Sequence, residues 1–255
     1  MYMVENIMPA QGGPALGGKV FCVIPAYNES RTIKAIINEV KPLVDRVVVV
    51  DDGSTDQTYD LAKDLDIDLP RHIINRGQGA ALRTGTAYSL SQGADIIVHF
   101  DADGQFLSQD IAKIIEPIKL GQAEVVFGSR FLSTQSDSCR AEPGQAGENK
   151  QVESGMPLFK KYFIMPLARA VNKIFFKIDL TDPQSGFRAM TAQAARKMDW
   201  QQDRMAHCSE IMFMVKKNNF KAAEVPIRVI YHSFGQSLFD GFKIIKDLFI
   251  AMLVS

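Results

Sequence analysis

The sequence predicts an α/β fold, a mainly parallel central sheet flanked by helices, and three observations carry that expectation. Short aliphatic runs recur at Val20–Ile24, Val47–Val50 and Ile96–Phe100, each too short for a helix. Segments between them place apolar residues at helical spacing. Asp, Asn and Gly cluster just past the runs, where ligands gather in open α/β sheets. Strands alternating with helices in this way read as βαβ units.

Taken in order, Met1 to Gly18 holds Gly12-Gly13-Pro14 and Gly17-Gly18 with little periodicity and reads as a flexible leader. Val20–Ile24 is a buried strand closed by Pro25, and Ile33, Ile36, Ile37 and Val40 predict a helix within Ser30–Val44. Val47–Val50 is the second strand. The next helix is expected from about Asp56, a good N-cap residue, through Leu61 and Leu65. Ile73-Ile74 is read as a third short strand, and Asn75-Arg76-Gly77-Gln78-Gly79 leads into a helix over Ala80–Gln92. Strand, helix and strand then follow as Ile96–Phe100, Ser108–Lys119 and Glu124–Phe127.

The alternation breaks at Ser133–Gly155, a polar stretch expected to be a flexible loop or lid. Leu158–Phe176 reads as a helix, apolar but dotted with Lys160, Lys161, Arg169 and Lys173. Thr181–Arg188 is a turn-rich loop, with helices expected over Ala192–Met198 and Glu210–Lys217. Phe220–Tyr231 is β-prone but interrupted by Pro226, which predicts an edge strand or a pair of short strands. The main domain is placed at residues 19–236. Residues 237–255 form an amphipathic C-terminal helix, with Phe239, Phe242, Ile245 and Phe249 interleaved with Lys243, Lys246 and Asp247.

The chain has 255 residues, 46% of them hydrophobic, enough for one large domain with a sizeable core. Its 29 basic and 29 acidic residues balance, so no nucleic-acid partner is expected. Cys22, Cys139 and Cys208 are few and widely spaced, which argues against a disulfide framework or a thiolate metal site. No signal peptide and no run of about 18 apolar residues is found, so a cytoplasmic protein is expected. The two basic-edged helices leave room for peripheral contact with the cytoplasmic face of a membrane.

The chemistry centres on His99-Phe100-Asp101-Ala102-Asp103-Gly104-Gln105. In an extended chain Asp101, Asp103 and Gln105 share a face, an oxygen-only set suited to Mg²⁺ or Mn²⁺. The plainer reading makes the two Asp residues loop caps. Tyr27 and Glu29, just past the first strand, can stack on a base and accept a hydrogen bond; alternatively Asn28 caps the next helix and Glu29 complements its dipole. Asp51 and Asp52 close the second strand, where a carboxylate can take the N–H of a base. Arg130, after Phe127-Gly128-Ser129, is placed to hold phosphate bidentately or to form a surface ion pair.

Together these segments resemble the family 2 glycosyltransferases of GT-A (Rossmann-like) fold, and among them the dolichol- and polyprenyl-phosphate mannosyl- and glucosyltransferases. The likeness rests on Pro25-Ala26-Tyr27-Asn28-Glu29, Val50-Asp51-Asp52-Gly53-Ser54, Gly77-Gln78-Gly79, Asp101-Ala102-Asp103-Gly104-Gln105, Gly128-Ser129-Arg130 and Ser185-Gly186-Phe187-Arg188, in that order. The resemblance implies that Pro25, Ala26, Tyr27, Glu29, Val50, Asp52 and Ala102 line the nucleotide pocket. It also implies that Asp101 and Asp103, with Gln105 beside them, hold the divalent metal, and that Arg130 contacts phosphate. It makes Asp103, Arg130 and Glu210 the catalytic set, Glu210 standing where a carboxylate near the acceptor is common; alternatively Glu210 is an acid at a helix N-terminus.

Two departures stand out. Gln78 occupies a position that is commonly Lys, and His232 and Leu238 stand where Arg and Lys often contact the diphosphate. His232 can donate to a phosphate oxygen, or be an ordinary hydrogen-bonded loop residue.

The expected function is inverting transfer of a hexose from a UDP- or GDP-sugar to a polyprenyl (dolichyl or undecaprenyl) phosphate. A glycan hydroxyl acceptor in cell-envelope polysaccharide assembly is the alternative, and a non-catalytic nucleotide-sugar-binding protein is a third. A dinucleotide-dependent oxidoreductase is excluded, because Gly77-Gln78-Gly79-Ala80-Ala81-Leu82 lacks the third small residue and does not follow the first strand.

Overall fold

The computed structural model describes residues 17–132, 180–182, 185–204 and 206–230. Most of the leader, the 133–155 loop, the 158–176 helix, His232, Leu238 and the C-terminal helix lie outside the described residues, as does Cys139.

In chain order the elements are β1 (Val20–Ala26), α1 (Ile33–Val40), β2 (Arg46–Asp51), α2 (Thr58–Lys63), α3 (Gln78–Ser91) and β3 (Ile96–His99). There follow α4 (Ile111–Lys119), β4 (Val125–Ser129), β5 (Arg188–Thr191), α5 (Ala192–Lys197), α6 (His207–Lys217) and β6 (Ala222–Pro226). The strands form one sheet in the order β2-β1-β3-β5-β4-β6. β1 pairs in parallel with β2 and β3, and β4 with β6, while β5 runs antiparallel to both its neighbours. The mainly parallel sheet is therefore observed.

Strand side chains alternate between two faces, and the core divides accordingly. Cys22 and Ile24 of β1 pack with Ile33, Ile37 and Val40 of α1 and with Ile111, Ile114 and Ile118 of α4. Phe21 and Val23 face the other way, onto Leu82 of α3, Trp200, and Ile211 and Val215 of α6. Helix α3 approaches the strands closely at Gly85, where a Cβ would stand 2.3 Å from Val23 Cγ1 and 3.0 Å from Val50 Cγ2.

Two expectations are corrected. Ile73-Ile74 is not a strand: Ile73 is 99% and Ile74 69% exposed. The pairing with β2 lies a few residues earlier, where Asp68 and Arg71 form isolated bridges to Val48 and Asp51 and Asp51 N–H donates to Pro70 O. Pro70 has no N–H to give, so the pairing stays short and the chain swings off the edge before Ile73. The second correction is β5, which starts at the last residue of the Thr181–Arg188 segment read as loop and runs up to the expected helix at Ala192. Its four residues, Arg-Ala-Met-Thr, carry no aliphatic run and are held as a strand by β3 on one side and β4 on the other. The expected edge strand is observed as β6, with Pro226 as its last residue.

Candidate active site

The carboxyl ends of the parallel strands β1, β2 and β3 carry the sequence-predicted residues to one end of the sheet, and Arg130 follows the end of β4. The loops after β1 and β2 are stitched together. Asn28 N–H donates to Ser54 Oγ (3.0 Å), Glu29 N–H to Thr58 Oγ1 (2.7 Å) and Thr55 N–H to Asn28 Oδ1 (2.9 Å). Asn28 has φ +58°, a left-handed conformation that Asn tolerates. It is thus a loop tie rather than a helix cap, and α1 begins at Ile33, with Glu29 O accepting from Ile33 N–H. The stitching leaves Tyr27 standing 44% exposed at the rim. Pro25, Ala26 and Val50 are buried strand residues that cannot all turn side chains outward, so what they offer a ligand is backbone.

Glu29 faces the turn that carries Asp103. Burial, and the charges of Asp103 and Asp56, raise its carboxyl above the usual range, against a hydrogen bond from Thr32. The Thr32 hydroxyl also donates to Ala102 O at 2.6 Å, tying α1 to the Asp101–Asp103 turn.

Both strand-end aspartates of β2 are engaged. Arg71 Nε lies 2.8 Å from buried Asp51 Oδ2. Asp52 accepts from Arg76 N–H (3.0 Å) and Gly77 N–H (2.6 Å), and its Oδ1 lies 2.6 Å from His72 Nδ1. His72 Nε2 in turn meets Thr84 Oγ1 at 2.9 Å. His72 and Thr84 were not singled out in the sequence, because the contact crosses from a loop to a helix with no spacing rule to reveal it.

Asp101 and Asp103 do not lie in an extended chain: β3 ends at His99, and a turn with Gly104 at φ +74° follows. The two carboxylates nevertheless remain coupled. Burial, then the Asp103 charge, push Asp101 up to about 7, with Arg188 pulling the other way. Gln78 Nε2 donates to Asp101 Oδ1 at 2.7 Å. A Cβ on Gly186 would stand 2.3 Å from Asp101 Oδ2, so glycine is required there for the carboxylate to sit as it does. Asp103 Oδ1 accepts from Gln105 N–H (3.0 Å). A buried carboxylate whose ionisation a neighbouring carboxylate opposes fits a hard divalent cation, which would relieve that opposition. Among the described residues no group of three or more His, Cys, Asp or Glu is placed to hold a metal ion.

Arg130 forms a two-point pair with Asp182, Nε to Oδ2 at 2.6 Å and Nη2 to Oδ1 at 2.8 Å. The fork expected to meet phosphate is thus occupied on one edge by a buried carboxylate. Glu210, in the first turn of α6, accepts from Gln201 N–H and Gln202 N–H at 2.8–3.0 Å. That places it under the 200–203 loop, which covers the start of α3: Trp200 Nε1 donates to Gly79 O (2.9 Å) and Ala80 N–H to Asp203 O (3.2 Å).

Behind Asp101 lies a buried basic group. Arg188 Nη2 donates to His207 Nε2 at 3.1 Å, and His207 Nδ1–H donates to Arg204 O at 2.7 Å, which assigns the tautomer. Burial and the Arg188 charge bring His207 down to about 4.

Comparisons with known proteins fit this geometry. The pattern of the family described as "Glycosyl transferase family 2" matches residues 21–198. A UDP-N-acetylglucosamine–dolichyl-phosphate N-acetylglucosaminyltransferase of Methanococcus voltae is 34% identical over 253 residues, covering 90% of this chain and 94% of that one. A polyprenol monophosphomannose synthase of Mycolicibacterium smegmatis is 26% identical, covering 91% and 84%. Among solved structures, glucosyl-3-phosphoglycerate synthase of Mycobacterium tuberculosis, in complex with Mn²⁺, UDP and phosphoglyceric acid, superposes with a TM-score of 0.65 at 19% identity. It covers 93% of this chain and 78% of that one, a likeness of fold.

Proposed function

The chain belongs to glycosyl transferase family 2 and is a glycosyltransferase; on that premise we propose that it moves a hexose from a UDP- or GDP-sugar to a polyprenyl phosphate, with inversion. The observation that carries the proposal is the coupled pair Asp101 and Asp103 beyond β3, beside the exposed Tyr27 and the half-buried Glu29. The acceptor class is supported by the relative acting on dolichyl phosphate.

Asp101 and Asp103 would hold Mg²⁺ or Mn²⁺, with Gln105 on the same turn. A cation held there would supply positive charge to the diphosphate leaving group. Tyr27 offers a stacking face to the base, and Asp52 fixes the backbone at Arg76 and Gly77. Arg130, aimed by Asp182, directs positive charge at phosphate.

A phosphate monoester is largely anionic at neutral pH, its second pKa being about 6, so it attacks the anomeric carbon without a general base. Glu210, already taken up by two backbone N–H groups, is assigned to positioning the 200–203 loop rather than to proton removal. The enzyme would work at a membrane surface, where its acceptor resides; among the described residues no helix is long and apolar enough to cross a membrane.

The test is transfer of label from a panel of UDP- and GDP-sugars to polyprenyl phosphate in detergent, with Mn²⁺, Mg²⁺ or EDTA. Metal-dependent formation of a lipid-phosphate sugar is expected. Donor hydrolysis with no lipid product would overturn the acceptor assignment.

A further inference from the structure

Three consecutive residues bind two parts of the site together. Arg76 N–H and Gly77 N–H donate to Asp52 at the end of β2, and the Gln78 side chain donates to Asp101 beyond β3. β1 lies between those two strands, so residues 76–78 join loops from strands two places apart in the sheet.

We propose that Gln78 is a positioning residue that sets the orientation of the Asp101 carboxylate for the divalent cation. The proposal rests on the reading of Asp101 and Asp103 as the metal carboxylates. The carboxylate is gripped from two sides, by the Gln78 amide on Oδ1 at 2.7 Å and by the bare Cα of Gly186 against Oδ2. A neutral amide donates one directional bond to the carboxylate and adds no charge of its own beside it.

The donor is also delivered from a fixed base, as precise placement requires. Gln78 is the first residue of the 14-residue α3, whose start is held by Trp200 on Gly79 O, by Asp203 O on Ala80 N–H and by Arg83 on Asp203. Its neighbours must be small. Gly77 has φ +107°, and a Cβ on Gly79 would stand 2.2 Å from Gln202 O. Within Gly77-Gln78-Gly79, residue 78 is thus the single position able to carry a side chain to Asp101.

The test is Mn²⁺ affinity without nucleotide, read from the electron paramagnetic resonance signal of free Mn²⁺, for the unsubstituted chain, Gln78→Leu, Gln78→Lys and Asp103→Asn. Loss of the hydrogen bond to Asp101 is expected to weaken Mn²⁺ binding about tenfold in Gln78→Leu, and less in Gln78→Lys, which keeps a donor, with thermal unfolding near that of the unsubstituted chain. Gln78→Asn, which keeps the amide but shortens its reach, replaces Gln78→Leu if that variant does not fold. Unchanged Mn²⁺ binding in the Gln78 variants, with loss in Asp103→Asn, would overturn the positioning role and leave the metal site standing. Equal losses in Gln78→Leu and Gln78→Lys with a lowered Tm would reduce Gln78 to a helix-start residue and overturn it as well. No Mn²⁺ binding by the unsubstituted chain would overturn both readings.

Discussion

The Arg130 guanidinium and the Asp182 carboxylate meet at two points, 2.6 and 2.8 Å, across 52 positions of sequence. Asp182 is itself buried, and its backbone N–H donates to Glu224 on the edge strand β6. The direction of the arginine is therefore set through β6, the strand next to the one that Arg130 follows. Asp182→Asn keeps the shape but loses the charge-assisted fork. Because Arg130 is partly exposed, the loss in urea unfolding is expected at about 1–2 kcal/mol. With Arg130 in its proposed phosphate-binding role, KM for the phosphate-bearing substrate should rise more than kcat falls, as steady-state kinetics would show.

Gly186→Ala places a methyl group 2.3 Å from Asp101 Oδ2. The backbone at 186 is not in the left-handed region, so the change should be felt at the carboxylate rather than in the turn. Turnover is expected to fall at least about tenfold, with Mn²⁺ affinity lowered alongside it. Normal turnover in a correctly folded Gly186→Ala protein would count against the placement of Asp101 described above.

Asp52→Asn removes one of the two oxygens that together accept Arg76 N–H, Gly77 N–H and His72. The new amide N–H₂ faces donors that it cannot satisfy. A stability loss of about 2–3 kcal/mol is expected by chemical denaturation, with a raised donor KM as the 72–77 loop loosens. His72→Phe should reproduce part of the loss, since it leaves Asp52 its two backbone partners.

Acid should weaken the fold through His207. Its folded pKa, about 4, lies below the 6.5 of an ordinary imidazole because burial and Arg188 oppose its charge. Between those values the unfolded chain binds a proton that the folded one refuses. The contribution is complete above pH 6.5, is lost as pH falls toward 4 and is constant below that, a total of about 3 kcal/mol. His99, also buried and held down, adds a slope of the same sign. Urea unfolding at pH 7 and pH 4.5 should therefore show a smaller pH difference for His207→Gln than for the unsubstituted chain.

The aliphatic strands and the helices at 3.6-residue spacing were legible because burial on both sides of a parallel sheet writes itself as runs of Val and Ile. β5 was not, since its four residues become a strand only through two neighbours distant in sequence. Ile73-Ile74 misled for the converse reason, two β-branched residues left in solvent by a proline just upstream. The site was legible as a set of side chains beyond strand ends. What escaped was the network that holds them: His72 and Thr84 under Asp52, Gln78 and Gly186 around Asp101, Asp182 on Arg130. Each is a contact between loops or between a loop and a helix, and composition leaves no trace of such partners.

β3 and β4 follow one another in the chain yet do not pair; β5 lies between them, and residues 130–187 intervene before it is reached. A growing chain that has emerged only as far as Ser129 thus carries a three-stranded piece of sheet and the lone strand β4, with open edges liable to pair with other chains. Joining them requires a closure distant in sequence, the kind that slows folding. The strand that closes the gap brings Gly186 and Arg188 with it, so the seat of Asp101 is assembled in the same late event that completes the sheet.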